Sequence, residues 1–223
     1  FVYRVSTIYL PDRKRPMLPT ILSDSICSLQ KHQHRFAFTL DLVVKKGEGI
    51  VDTRYTNSLI SVTQNYTYSS KELENDITYQ TAKAACKFIS EAHGDTHKSA
   101  PSLRGPMDVI AYLMMLMNHD CAKNMSVQSE NGIYRAAVYR ERAKIPSHLP
   151  HDIYSYLHNW NNYSGQYIHK ISTEHEIMEL GCYIHITSPI RRLVDLLNMI
   201  AFQKNNNIVN LSKKAQVFYD KWT

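Results

Sequence analysis

From Arg35 the chain alternates with period two: Phe36, Phe38, Leu40, Leu42 and Val44 are interleaved with Ala37, Thr39, Asp41 and Val43. That pattern predicts a half-buried strand. Lys45-Lys46-Gly47-Glu48-Gly49 has the length and the glycines of a hairpin connection, so Ile50 to Val62 is expected to return as the partner strand. The middle of the chain then changes to a helical period. Ser69 and Glu72 have capping-box spacing, and Leu73, Ile77, Ala84, Phe88 and Ile89 continue one apolar stripe to Gly94, which predicts a single helix. Pro106 opens a second helix, Met107 to about Met125, with Val109, Ile110, Leu113, Met114 and Met117 as its core stripe. Asn118 and His119 fall within it, and a lone histidine there reads as structural. Asn131 to Arg135 reads as a turn and then a strand. Asp152 to Trp160 reads as a short helix whose Tyr154, Tyr156, Leu157 and Trp160 form an aromatic face, read as core in preference to the lining of a groove for single strands. Thr173 caps another short helix, which carries Glu174, His175 and Glu176 and ends at Gly181, and Leu211 to Trp222 is a final amphipathic helix.

The first 35 residues are patterned differently. Thr7-Ile8-Tyr9-Leu10-Pro11 leads through Arg13-Lys14-Arg15 to Pro16-Met17-Leu18-Pro19, and prolines at that density give an extended, rigid path. The basic cluster reads as an ordinary surface loop. Leu22 to Ser25 is rich in turn and cap residues, and His32 and His34 lie in a basic loop without a Cys or carboxylate partner at metal-ligating spacing.

One stretch carries candidate chemistry. Tyr183 to Thr187 is strand-like and is followed by Ser188-Pro189-Ile190-Arg191-Arg192, where Ser188 is a good N-cap and Pro189 suits the first helical position. Ile190, Leu193, Val194, Leu197, Ile200 and Ala201 would bury one face of that helix and leave Arg191, Asp195 and Asn198 on another. Two arginines beside free helix-terminal N–H groups make a seat for a phosphate, while an accidental arginine pair on a solvated helix end explains the same residues.

Composition narrows the setting. The 223 residues are 43% hydrophobic with a net charge of +6, enough for one substantial core and a polyanionic partner. The sequence pI is about 9.0, and no apolar run approaches the ~20 residues that span a bilayer. Cys27, Cys86, Cys121 and Cys182 are far apart, which favours reduced thiols in an intracellular compartment over zinc or disulfides. The chain is read as one domain, 1–223, of α+β class: a mixed, largely antiparallel sheet flanked by helices.

Two blocks of residues, in order along the chain, resemble a known family. Thr7-x-Tyr9-x-Pro11, Pro16-Met17-Leu18-Pro19, Leu22-Ser23, Cys27-Ser28-Leu29 and Arg35-Phe36-Ala37-Phe38 form the first. Tyr183-x-His185-x-Thr187-Ser188-Pro189-Ile190-Arg191-Arg192-x-x-Asp195 forms the second. Together they are similar to the RNB domain of the RNase II/RNase R family. The resemblance implies an RNB-like fold and hydrolytic, processive 3′–5′ degradation of single-stranded RNA to nucleoside monophosphates, within a larger RNA-degradation assembly. It implies Arg191 as the catalytic arginine on the scissile-end phosphate, with Tyr9, Tyr55, Thr187, Ser188 and Arg192 as RNA-binding residues. It also implies a divalent metal, Mg2+, held mainly by an aspartate cluster. No Asp-Asp or Asp-x-Asp occurs in these residues, and the chain opens on Phe1. It is therefore expected to be the C-terminal portion of an RNB catalytic domain, incomplete for catalysis and supplying no metal ligand itself. The alternative is a non-catalytic RNA-binding or scaffold relative. Ala111 and Tyr112 stand where the family often has a carboxylate, and Gln216 lies near another such position.

Overall fold

The alternating stretch forms the longest strand pair among the described residues: β3, His34–Lys45, pairs antiparallel with β4, Gly49–Ser61. A computed structural model of the chain describes residues 4–93, 102–128, 132–138, 145–146, 148–162, 164–169 and 180–222. The β3–β4 connection turns through Gly47 and Gly49, both at positive φ, where a side chain would be strained. A register shift between Val43 and Val44 adds a bulge. Ahead of the ribbon, β1, Ile8–Tyr9, pairs with β2, Lys14–Arg15, so the proline-rich start is a small hairpin. The residues from Ile21 to Ile26, expected as a turn-rich connection, wind into a wide helical turn of π type, with Cys27 N–H donating to the Leu22 carbonyl at 2.9 Å.

The single helix expected after Ser69 is two: α1, Lys71–Asn75, and α2, Ile77–His93. The break has a local cause. Asp76 is extended, and its carboxylate accepts the N–H groups of Thr78 and Tyr79 at 2.7 and 3.0 Å, which starts a new helix. No side-chain cap bond forms at the start of α1, so the Ser69–Glu72 capping box does not form. α3, Pro106–Gln128, agrees with expectation in extent but buries a rotated face. Ile110 and Met114 are exposed, whereas Val109, Tyr112, Met115, Cys121, Ala122 and Met125 are buried.

Beyond α3 come β5, Tyr134–Val138, α4, His151–Asn162, β6, Ser164–Ile168, α5, Leu193–Asn205, and α6, Lys213–Trp222. β5 and β6 pair antiparallel, so among the described residues all the strands form antiparallel pairs, in a mixed α+β domain as expected. Tyr154 of α4 is exposed. The side chains of Tyr156 and Trp160, the segment Thr173 to Glu176, and Arg140 and Arg142 lie outside the described residues.

Two apolar clusters share α3. One gathers Cys121, Met125, Ile184, Ile186, Leu197 and Phe202; the other gathers Cys86, Ile89, Val109, Tyr112, Leu116 and Tyr183. The extended segment around Tyr183 to Ile186 touches both, which fixes the candidate site directly onto the core.

Candidate nucleic-acid interface

Side-chain amides secure the segment that leads to the arginines. Ile184 bridges Tyr134 in antiparallel fashion, and Arg135 N–H donates to the Tyr183 carbonyl at 2.7 Å. Asn118, buried in α3, donates to the Tyr183 hydroxyl at 2.9 Å and accepts from Ile186 N–H at 3.0 Å. Asn198, buried in α5, accepts from Ile133 N–H at 2.9 Å and donates to the carbonyls of Ile133 and His185 at 2.9 and 3.0 Å. His119 Nδ1 lies 2.9 Å from the Cys182 carbonyl oxygen, in keeping with the structural role expected for it.

Ser188 to Arg191 then form a turn, and the helix starts at Leu193 rather than at Pro189. Long-range pairing overrides the local cap signals. Arg192 is extended, at φ −135 and ψ 128, and bridges Ser6. Thr7 N–H donates to the Arg191 carbonyl and Leu193 N–H to the Val5 carbonyl, each at 2.8 Å. Ser188 N–H donates to Asp195 Oδ1 at 2.8 Å, and the N–H groups of Arg191 and Arg192 both bond the Ser188 carbonyl at 3.1 Å. The backbone donors at Ser188, Arg191, Arg192 and Leu193 are thus committed and are not free to bind an anion.

The expected polar face of α5 is also corrected. Asp195 and Asn198 are buried, at 0% and 1% exposure, and it is Arg192 that meets Asp195. Arg192 Nη2 donates to Oδ1 at 2.9 Å and Nε lies 2.7 Å from Oδ2. Burial pushes the Asp195 carboxyl up, against the opposing pull of the Arg192 guanidinium and the Ser188 N–H. Burial likewise raises the Tyr183 phenol.

Arg191 faces outward, with no side-chain hydrogen bond or ion pair among the described residues. It lines an open cleft of about 310 Å³ together with Tyr9, Lys14, Asp24, Thr187 and Ser188. Tyr9 is 65% exposed, and the β1–β2 register places it opposite Lys14. Lys14 Nζ donates to Asp24 Oδ1 at 2.8 Å, and this bond, with another from Ser23, holds the Asp24 carboxyl below the usual carboxylate range. The Thr187 hydroxyl is buried in the cleft wall without a hydrogen-bond partner among the described residues.

The cleft therefore gathers Tyr9, Thr187, Ser188 and Arg191 and leaves out Arg192 and Tyr55. Tyr55 packs into the core instead. Its ring lies 4.6 Å from Phe202 and 6.1 Å from Phe38, centroid to centroid, and its hydroxyl donates to Asp120. Burial pushes its phenol far up. Packing against Phe38 and Phe202, and not the cleft, is where the structure places this tyrosine. Lys14 and Asp24 are the cleft residues that sequence reasoning passed over. The signal for Lys14 was the Pro11-Asp12 turn between two short extended runs, which folds the basic cluster back onto Tyr9. Tyr112 is fully buried and does not line the cleft.

A divalent metal does not fit the cleft as described. No group of three or more His, Cys, Asp or Glu side chains stands together among the described residues, and Asp24, the one carboxylate lining the cleft, is already bonded to Lys14.

The open cleft thus brings together an arginine without a side-chain partner among the described residues, a lysine paired with Asp24 and an exposed tyrosine, side chains of the types that suit a phosphate-bearing chain. Residues 2–104 match the RNB domain family model. Ribonuclease R of Chlamydia trachomatis is 25% identical over 260 residues, covering 87% of this chain and 37% of that protein. The exosome complex exonuclease of Schizosaccharomyces pombe is 30% identical over 73 residues, covering 33% of this chain and 8% of that protein. The chain thus spans little more than a third of the length of the ribonuclease R it matches. In fold it is similar to Mycoplasma genitalium RNase R in complex with ribose-methylated single-stranded RNA, with a TM-score of 0.68, 17% identity and coverage of 97% of this chain and 44% of that one. It is similar also to yeast Ssd1, a pseudonuclease, with a TM-score of 0.67, 12% identity and coverage of 96% and 34%. Residues 2–104 thus carry the likeness to the RNB domain, and the chain is similar in sequence to ribonuclease R and, over a shorter stretch, to the exosome exonuclease. Among the described residues, no helix is long and apolar enough to cross a membrane.

Proposed function

We propose that this chain is the phosphate-gripping part of a hydrolytic 3′–5′ exoribonuclease that takes single-stranded RNA and releases nucleoside monophosphates processively. The observation that carries the reading is Arg191: exposed, unpaired among the described residues, and aimed into a cleft it shares with Tyr9 and Lys14. An arginine fork can hold two phosphate oxygens at once and stabilise charge that builds on them. Tyr9 offers a ring face to a base, a contact of about 1–3 kcal/mol that tolerates any sequence. Ser188 and Thr187 supply hydroxyls at the wall. Hydrolysis also needs a divalent metal such as Mg2+ and carboxylates to hold it, which the described residues do not gather, so the share assigned to this chain is to bind and orient the strand. The relatives named as ribonuclease R and exosome exonuclease support the enzyme class and an RNA-degradation assembly as its setting.

A second reading, an RNA-binding relative without catalysis, is supported by the likeness to a pseudonuclease. Two measurements on the protein separate them. Fluorescence anisotropy with a single-stranded RNA is expected to show Arg191→Ala weakening affinity about tenfold or more. The slope of log K against log[salt] should shrink by about 0.7, the value of one lost contact on a single strand. Unchanged affinity and slope in a folded variant would refute the cleft as the RNA site. Release of nucleoside monophosphates from labelled RNA in Mg2+, assayed on the whole gene product, establishes the nuclease, and binding without release there establishes the second reading.

A further inference from the structure

The two adjacent arginines are read alike by sequence but do different things in the fold. Arg192 is spent on Asp195, through contacts of 2.9 and 2.7 Å, and does not line the cleft. The same carboxylate takes the Ser188 N–H at 2.8 Å, at the opposite end of the turn that presents Arg191. Asp195 therefore spans the turn from start to finish, with no exposure to solvent. The turn has no other side-chain brace among the described residues; its remaining ties are backbone bonds, Thr7 to Arg191, Leu193 to Val5, and Arg191 and Arg192 to Ser188.

We infer that Asp195 is the positioning residue of this site: by clamping Ser188 and neutralising Arg192, it fixes the turn so that Arg191 is the only one of the two arginines to meet the ligand phosphate. The inference rests on the reading of the cleft as an RNA site. A buried carboxylate that touches no ligand is costly unless charge and hydrogen bonds offset its burial. Arg192 and Ser188 together supply that offset. The arrangement assigns the cationic contact to one side chain with a fixed backbone, and pre-organisation of this sort raises affinity by removing the cost of ordering on binding.

The test is a double-variant cycle on single-stranded RNA binding, read as both affinity and salt slope, with thermal unfolding of each variant as the check on folding. Asp195→Asn keeps an oxygen for Ser188 but leaves Arg192 uncompensated. It is expected to weaken RNA binding about tenfold without changing the salt slope, because the phosphate contact itself survives. Arg192→Gln is expected to leave the slope unchanged as well. The double variant Asp195→Asn, Arg192→Gln removes both charges and is expected to recover most of the affinity lost in Asp195→Asn, since deleting both members of a buried ion pair is far milder than deleting one. If Arg192→Gln shrinks the slope by about 0.7, Arg192 itself touches phosphate and the inference is overturned. It is overturned equally if the folded double variant binds as weakly as Asp195→Asn, or if Asp195→Asn folds and binds as the parent does. The reading beneath it has its own control: Arg191→Ala with unchanged affinity sinks the RNA site, whereas a weakened Arg191→Ala beside an unaffected Asp195→Asn sinks only the positioning role.

Discussion

Asn198 uses both ends of its amide on backbone, taking the Ile133 N–H and giving to the carbonyls of Ile133 and His185. Leucine has similar volume but no hydrogen-bonding atoms, so Asn198→Leu would leave three buried backbone groups without partners. At roughly 1–3 kcal/mol for each orphaned group, the variant should lose about 3 kcal/mol or more, read as a lower urea midpoint. An unchanged midpoint would show that these groups find other partners. At this scale the sequence was legible in part. Tyr9, Thr187, Ser188 and Arg191 could be picked out because their motif carries them, and the fold brings all four to one cleft. Asp195, Asn118 and Asn198 could not, because a polar residue on a helix has the same periodicity whether water or a buried backbone amide faces it. Arg192 and Tyr55 illustrate the converse: each is the right residue type for RNA, and each is engaged elsewhere.

Elements held by local chemistry were the legible ones. The β3–β4 ribbon follows from alternation and a glycine-bearing turn, and α3 follows from Pro106 and a long helical period. Two helix starts were misplaced for different reasons. Between α1 and α2 two cap signals compete, and Asp76 wins because its carboxylate reaches the N–H groups of both Thr78 and Tyr79. Asp76→Ala should lower the melting temperature by about 2–4 °C and fray the start of α2, visible as reduced helical circular dichroism. The carboxyl is held below its ordinary value, chiefly by the Tyr79 N–H. Its contribution is therefore present above pH 3.8 and disappears as pH falls through the depressed value, so parent and variant should converge in strong acid. The start of α5 was misplaced because Ser188 and Pro189 are good local signals that yield to pairing with Val5, Ser6 and Thr7, partners more than 180 residues away in sequence.

Across the whole molecule, the patterning pointed to the mixed α+β class that the fold shows, but the joining of two apolar clusters through α3 was not legible, since it depends on which face of that helix is buried. The joined core predicts the response to alkali. Burial pushes the Cys86 thiol up to about 11 and the Tyr112 and Tyr134 phenols up to about 12. Each folded value lies above the ordinary one, 9.0 for the thiol and 10.0 for the phenols, so the unfolded chain gives up these protons first. Stability from the neutral groups is complete below about 9 and is lost as pH rises through 11 to 12. Urea midpoints should hold level to near pH 8.5 and then fall steadily; a midpoint unchanged at pH 11 would contradict the burial of these groups. The amide ties from α3 and α5 to the segment before Arg191 have a consequence for descent. Substitutions at Asn118 or Asn198 damage the fold along with the cleft, and a lineage carrying them loses the protein itself. If the cleft is the proposed RNA site, substitutions at the tips, Tyr9, Lys14 or Arg191, are expected to weaken it and leave the scaffold standing. A descendant that abandons this activity yet persists should therefore differ at the tips and keep the buried amides, which makes those two sets of positions separate records of what selection was still asking of the chain.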